Sequence, residues 1–475
     1  MARRDDYRRV ADDVAREIEA GTLRAGDQLP PQRLFARRRR IANSTAIRVY
    51  GELARRGLVV GEVGRGTFVR AAAPHPGGAA LTEGPAAGPP APPAVNLELN
   101  YPVVAGQSEL MSRSLAPLLR PDVLLEATRT AAPDGTPQAR DAAASVLARG
   151  GWRPEPERVL FAGNSRQAIA AALSSLARPG DRVGVEEVTY PLVKAVAAQL
   201  GLRLVPIATD EQGMLPGALA DAHRKASLSC VYVQPTLQNP LSVTAGEERR
   251  QQLVDVVEEL GLAVVEDGTW GFLAPDAPAP FAARVPERVI FVDSLSKRLA
   301  PGLTVGMLTA RPDHLDALAR ALRSGAWTAG AFNLAALVRW AGDGTVETLT
   351  SAKRADAALR HGIVRERLID AGARGRFRTD PRAYYCWWEL PAPWRAETFV
   401  GAAAERGIAV TPGSAFAVTG HGVPVSGRSA PVAGHSAPGA VRIGLASPPP
   451  EVLAGALGVL AEISRVRGGG VRGGA

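Results

Sequence analysis

Residues 71–95 read AAAPHPGGAALTEGPAAGPPAPPAV, with seven Pro and four Gly in 25 positions. Proline removes amide donors and glycine adds backbone entropy, so this stretch can neither continue a helix nor pair as a central strand. Whatever the chain folds into must therefore fold separately on either side of it. The stretch reads as a linker that can reach up to about 75 Å if extended at about 3.1 Å per residue. It leaves a small module over 1–70 and a body over 96–467, followed by a tail, GGGVRGGA, read as disordered.

The two sides differ in charge. The 475-residue chain carries a net +9, and residues 1–70, with sixteen Arg against nine Asp and Glu, hold +7 of it. A basic module beside a nearly neutral body points to a polyanion, most often nucleic acid; the alternative is an arginine-rich solvated surface. The remaining composition, 46% hydrophobic and 22% charged, is that of a globular protein. Cys230 and Cys386 lie far apart without metal-ligand spacing, which argues against a disulfide framework or zinc site and for a reducing cytoplasm. No apolar run reaches the roughly 20 residues that span a bilayer, and the charged N-terminus is unlike a signal peptide. His421 and His435 fall in a low-complexity insertion, 417–440, read as a mobile loop, and no metal site is expected there.

In the module, VADDVAREIEAG, PQRLFARRRR and NSTAIRVYGELARRG read as three helices, with GDQLP a turn and Asn43 or Ser44 suited to cap the third. LVVGEVGRGTFV reads as two strands around a Gly-Arg-Gly tip. Three helices and a wing make a winged helix-turn-helix, whose third helix enters the major groove of double-stranded DNA. LPPQRLFARRRRIANSTAIRVYGEL followed by GLVVGEVGRGTFV resembles the DNA-binding domain of GntR-type bacterial regulators. The resemblance implies DNA contacts from Arg33, Asn43, Ser44, Thr45, Arg48, Arg65 and Gly66. Arg39 and Arg40 depart from it, standing where the family has an apolar residue and a glycine, and extra arginine raises phosphate affinity.

Beyond the linker, β-rich runs alternate with helical ones: RVGVE, LRLVPIA, LSCVYVQP, LAVVEDG, RVIFVDS and LTVGMLTA, each with a helical pattern nearby. Continuously apolar strands in this rhythm indicate an α/β fold with a parallel sheet covered on both faces, and ligands in such sheets bind at the carboxyl ends of the strands. Asn239, Asp267 and Lys297 follow three consecutive strands at separations of 28 and 30 residues, one strand-plus-helix step each. A desolvated lysine forms a Schiff base with an aldehyde, a buried carboxylate keeps a pyridine nitrogen protonated, and an amide donates to a phenolate. Those are the needs of pyridoxal 5'-phosphate. Asn164, Ser165 and Arg166 open a helix whose free N–H groups suit the phosphate; Ser294 adds a hydroxyl, Tyr190 a stacking ring, and Arg442 a partner for a substrate or effector carboxylate.

From about 96 to 465 the chain resembles fold-type I aminotransferases, on NP at 239–240, ED at 266–267 and SLSK ending at Lys297, with a C-terminal α+β subdomain over about 345–467. Joined to the GntR-like head, it resembles the MocR/GabR group of regulators. That resemblance implies a cytoplasmic bacterial homodimer that senses an amino compound through Lys297 and pyridoxal phosphate. Thr269 and Trp270 stand where relatives place a tyrosine; an indole N–H donates but cannot accept, which costs a proton relay. Thr304 stands where an arginine usually meets the phosphate, with Arg298 or Arg166 as replacements, and the segment TRTAAPDGTPQARDAA has no tyrosine before Gly135, where many relatives have one reaching the neighbouring subunit's phosphate. The alternatives are a functional aminotransferase with a secondary DNA-binding head, and a regulator that has lost the cofactor.

Overall fold

The computed structural model describes residues 6–19, 22–23, 27–55, 58–62, 66–69, 95–392, 394–418 and 439–465. Arg65, most of the linker, His421, His435 and the tail lie outside the described residues. The chain divides between Ala80 and Leu81 into two compact units, each described by itself.

In the head, α1 (Asp6–Glu19), α2 (Gln32–Arg39) and α3 (Asn43–Arg55) pack on a three-stranded antiparallel sheet. Val10 and Val14 of α1, Phe35 of α2 and Ala46, Val49, Tyr50 and Leu53 of α3 recur at three- and four-residue spacing, which puts them on one face of each helix and into a single core. Phe35 meets Tyr50 edge-to-face at 5.2 Å between centroids. The wing strands β2 (Val59–Glu62) and β3 (Gly66–Val69) pair as expected, and the GDQLP turn adds β1 (Gln28–Leu29), which pairs with β3. Helix α3 begins at Asn43, one residue earlier than a cap at Asn43 requires, and Ala42 O accepts from Ala46 N. After α2, Arg40 takes the left-handed conformation, φ +52°, and its N–H closes onto the carbonyls of Ala36 and Arg37. The turn is therefore kept, with an arginine in backbone space that favours glycine. Arg39 does not join a phosphate-binding face: it pairs with Glu17 at 2.7 Å and lies over the Phe35 ring.

The body is built on a seven-stranded sheet of β4 (Val159–Ala162), β5 (Arg182–Glu186), β6 (Arg203–Ile207), β7 (Cys230–Val233), β8 (Ala263–Asp267), β9 (Val289–Ser294) and β10 (Gly306–Thr309), in the order β4-β10-β9-β8-β7-β5-β6. Successive residues feed opposite cores: Val264 and Phe291 one, Val265 and Ile290 the other. This two-sided burial is why the strands read as unbroken apolar runs. One strand departs from the parallel expectation, because β10 runs antiparallel to both β9 and β4. Between β9 and β10 the chain makes only one helical turn, α5 (Leu295–Arg298), too short for the crossover that parallel pairing needs.

The long helix α6 (Thr345–Val364) leads into a four-stranded antiparallel sheet, over which Pro450–Arg465 packs. The first described residues after the linker, Val95–Asn96, pair with Ile408–Ala409, and Leu97 is buried in this second core. Among the described residues no helix is long and apolar enough to cross a membrane.

Candidate functional site

Lys297 sits on α5 at the carboxyl end of β9. Its Nζ donates to Asn100 O at 2.7 Å and lies 4.3 Å from the Tyr101 ring centroid and 5.2 Å from that of Trp270. Burial pushes the amine down to about 7, helped by the positive charges of Arg442, Arg166 and Lys353. A lysine nearly neutral at physiological pH is a nucleophile, which a surface lysine is not. Lys353, on α6, holds the segment from beneath: its ammonium donates to the carbonyls of Lys297 at 3.1 Å and Leu299 at 2.6 Å.

Asp267 ends β8 and is buried, yet fully hydrogen-bonded. Oδ2 accepts from Tyr232 Oη at 2.7 Å and Gln234 Nε2 at 2.8 Å, and Oδ1 accepts from the Thr269 amide at 2.9 Å. Gln234 also joins Asp267 to Asn239, whose backbone N–H donates to Gln234 Oε1 at 3.1 Å. The sequence spacing thus brings Asn239 and Asp267 into one network, through a glutamine that only the folded strand end reveals. Glu186, at the end of β5, is also buried; burial raises its carboxyl to about 8, and the Asp267 charge adds to this against hydrogen bonds from Gln238 and Gln234.

Asn164 caps α4 (Ser165–Leu176), its Oδ1 accepting from Gln167 N at 3.0 Å, so part of its hydrogen-bonding capacity goes to the helix itself. Arg166 stands in the first turn, and its charge acts on Lys297 and on Tyr190. Burial raises the Tyr190 phenol to about 12; Arg166 opposes that, and Asp267 and Tyr101 add to it. Ser294 caps α5 by accepting from Ser296 N, and Ser296 Oγ meets Thr304 Oγ1 at 2.9 Å. Trp270 is buried against Phe272 and Tyr385 and offers its ring to Lys297. Arg298 turns away from this cluster. With Arg149 it binds the fully buried Asp293, at 2.8 Å from Arg298, and it lies over Phe272. Of the two arginines considered in place of Thr304, only Arg166 acts on Lys297.

Arg442 lies on the small sheet, buried, over the Phe416 ring at 5.3 Å. Its Nη2 donates to Glu98 O and, at 3.2 Å, to Thr411 Oγ1, while burial lowers the guanidinium to about 10. Several buried polar atoms around these residues have no partner: Arg442 Nε, Asn100 Nδ2, Asn239 Oδ1, Thr269 Oγ1 and Thr189 Oγ1. Buried polar groups are nearly always satisfied, so such a set fits a polar ligand that supplies both donors and acceptors. Among the described residues no group of His, Cys, Asp or Glu is arranged to hold a metal ion.

In the head, Arg33, Asn43, Ser44 and Arg48 are exposed and Thr45 is half-buried, so α3 presents its first turns outward. An exposed basic helix on a three-helix core with a wing is a DNA-binding head, and a sheet carrying a near-neutral lysine and a buried aspartate at its strand ends is a pyridoxal-phosphate body; together they define a pyridoxal-phosphate-dependent transcription regulator. The chain belongs to the aminotransferase class I and II family, whose pattern matches residues 126–459, and residues 6–69 match that of bacterial regulatory proteins of the gntR family. It is 28% identical over 414 residues to an uncharacterized HTH-type transcriptional regulator, YdeF, of Bacillus subtilis, covering 87% of each chain. It is 26% identical to the HTH-type transcriptional regulator TauR of Rhodobacter capsulatus, covering 85% of this chain and 88% of that one. The HTH-type pyridoxine biosynthesis transcriptional regulator PdxR of Corynebacterium glutamicum is 24% identical, over 76% and 78%. Among solved structures, an archaeal alanine:glyoxylate aminotransferase superposes with a TM-score of 0.68 at 20% identity, covering 78% of this chain and 90% of that one. The α-aminoadipate aminotransferase LysN of Thermus thermophilus gives 0.67 at 23% identity, over 78% and 92%. At such identities these two establish the fold.

Proposed function

We propose that Lys297 is the attachment point of pyridoxal phosphate and that an amino compound bearing a carboxylate is the signal the body senses. In this reading Asp267 faces the pyridine nitrogen, Asn239 the phenolic oxygen, Tyr190 the ring, and Asn164, Ser165 and Arg166 with Ser294 the phosphate. When bound, the cofactor supplies an aldehyde that takes up amines and an electron sink. The protein's part is to keep the Lys297 amine close to neutral between Tyr101 and Trp270, to hold Asp267 in place through Tyr232, Gln234 and the Thr269 amide, and to offer the unpartnered Nε of Arg442 to the carboxylate. Trp270 gives the site a ring face and not a phenol, which favours sensing over turnover. The observation that carries the reading is the buried Lys297 amine at the carboxyl end of β9, set between the Tyr101 and Trp270 rings.

A second copy of the chain belongs to the same proposal. Val103, Leu119, Leu124 and Leu125 are large apolar side chains left exposed within one short segment of the body, a pattern typical of a protein interface. A two-fold dimer would present two heads to two half-sites.

The test is Lys297→Ala in the full chain. The variant is expected to lose the visible absorbance of bound pyridoxal phosphate and the effector-dependent change in DNA affinity, a coupling of about 5–150-fold in comparable systems. Its affinity for DNA without effector stays that of the wild type. A variant that keeps the absorbance rejects Lys297.

A further inference from the structure

Helix α3 carries two residues that the fold of the head does not explain. Ile47 is 52% exposed in the middle of the helix, although an isoleucine normally goes to the core. Gly51, one turn further on, lies in the helix interior, where glycine is disfavoured relative to alanine; a Cβ there would meet nothing within 4 Å, and its φ is an ordinary helical one. Packing inside the head would accept alanine at either position. Both lie on one face, since residues three and four apart on a helix are neighbours: Asn43, Ser44, Ile47 and Gly51 line up along it, with Arg48 at its edge beside the Tyr7 ring.

The exposed charge on the preceding helix and its turn is of one sign. Arg33, Arg37, Arg38 and Arg40 are all exposed, and residues 1–70 hold sixteen arginines against nine acids. A protein partner would cover an apolar spot with apolar surface and has no use for such charge; a nucleic-acid duplex provides phosphates for the arginines and, in its major groove, one apolar group on a base edge, the thymine C5-methyl. We propose that Ile47 is a specificity-determining residue that packs on a thymine methyl in the major groove, and that Gly51 removes the side chain that would otherwise hold the helix off the bases there. The inference rests on the DNA-binding reading of the head and assigns one base position within it. Asn43 and Ser44 lie one turn earlier on the same face and supply the hydrogen-bonding side chains, so Ile47 reads the one feature that hydrogen bonds cannot, a methyl group that distinguishes thymine from uracil.

The experiment uses the full chain and duplexes selected from a randomised pool for tight binding. Each thymine of the selected site is replaced in turn by deoxyuridine, which removes the methyl and leaves the base pair intact. The wild type is expected to lose about four-fold in affinity at one thymine per half-site, the transfer value of one buried methyl group. Ile47→Ala binds the thymine duplex more weakly, does not respond to the deoxyuridine swap at that position, and keeps the salt dependence of the wild type, because no phosphate contact is lost. A wild type indifferent to deoxyuridine at every position overturns the proposal, as does an Ile47→Ala protein with undiminished sensitivity to the swap. A pool that yields no preferred sequence overturns the DNA-binding reading itself, a result distinct from either.

Discussion

The head keeps its working residues exposed to solvent, whereas the body buries them. In the head they are exposed and break local preferences: Arg40 in left-handed space, Gly51 inside a helix, Ile47 in solvent. In the body they are buried, and almost each is anchored by a contact from far along the chain. Lys297 donates to Asn100, Asp267 is held by Tyr232 and Gln234, and Arg442 reaches Glu98. Charge outside costs little to keep and is free to meet a polyanion. Charge inside must be compensated residue by residue, or else shifted toward neutrality as Lys297 is. The two halves therefore differ in how they respond to a single substitution.

The largest effect is expected at Asp293. It is fully buried and shared by Arg149 and Arg298, which together outweigh burial and hold its carboxyl below the usual range. Asp293→Ala leaves the buried Arg298 and the half-buried Arg149 without their counter-charge and should destabilise the body by about 3–5 kcal/mol in denaturant unfolding. Unfolding of the head should not follow, and a head that melts in step would break the contrast between the units.

A smaller effect concerns pH. Only the unprotonated Lys297 amine takes up an aldehyde, and its protonation midpoint lies at about 7. Uptake of pyridoxal phosphate, read by visible absorbance, should rise as pH climbs through that value and level off above it. Arg442 lowers this midpoint by its positive charge, so Arg442→Gln should move the rise to higher pH. A midpoint that stays put or falls would show that the Arg442 charge does not help set it.

The smallest effect belongs to the head. Arg40 holds φ +52° without need of its side chain for the fold. Arg40→Gly should stabilise the head by about 1 kcal/mol, seen in its thermal midpoint, while reducing the salt dependence of DNA binding if Arg40 meets a phosphate. Loss of stability would mean that the arginine side chain supports the turn.

The fold was legible wherever a local rule governs it. Unbroken apolar runs marked six strands of the central sheet, though not the edge strand β4, and the three-and-four spacing of Val10, Val14, Val49 and Leu53 marked the helices of the head. Lys297, Asp267 and Asn239 were legible because each follows a strand in a regular succession, and strand ends are where such sheets bind ligands. The direction of β10 was not, since it depends on whether eleven residues after β9 can cross over, which apolar pattern does not reveal. Nor were Asn100, Tyr101 and Lys353: nothing in their local sequence distinguishes them, and they meet Lys297 only through contacts 197 and 56 residues away in the chain for Asn100 and Lys353. Tyr232 and Gln234 stand in a strand already recognised, and the polar residue at every second position of YVQP was the available sign. Arg298 looked like a phosphate ligand by proximity in sequence; its side chain pairs instead with the buried Asp293, which it shares with Arg149.

Within the stretch from Leu97 to Tyr101, Asn100 and Tyr101 meet Lys297, and this stretch is among the first described residues after the linker. Asn100 is tied to Lys297 by its carbonyl and to Ala446 by its side chain, and Glu98 receives Arg442. One five-residue run thus bonds to both the lysine and the arginine, so altering its backbone would disturb both ends of the site at once.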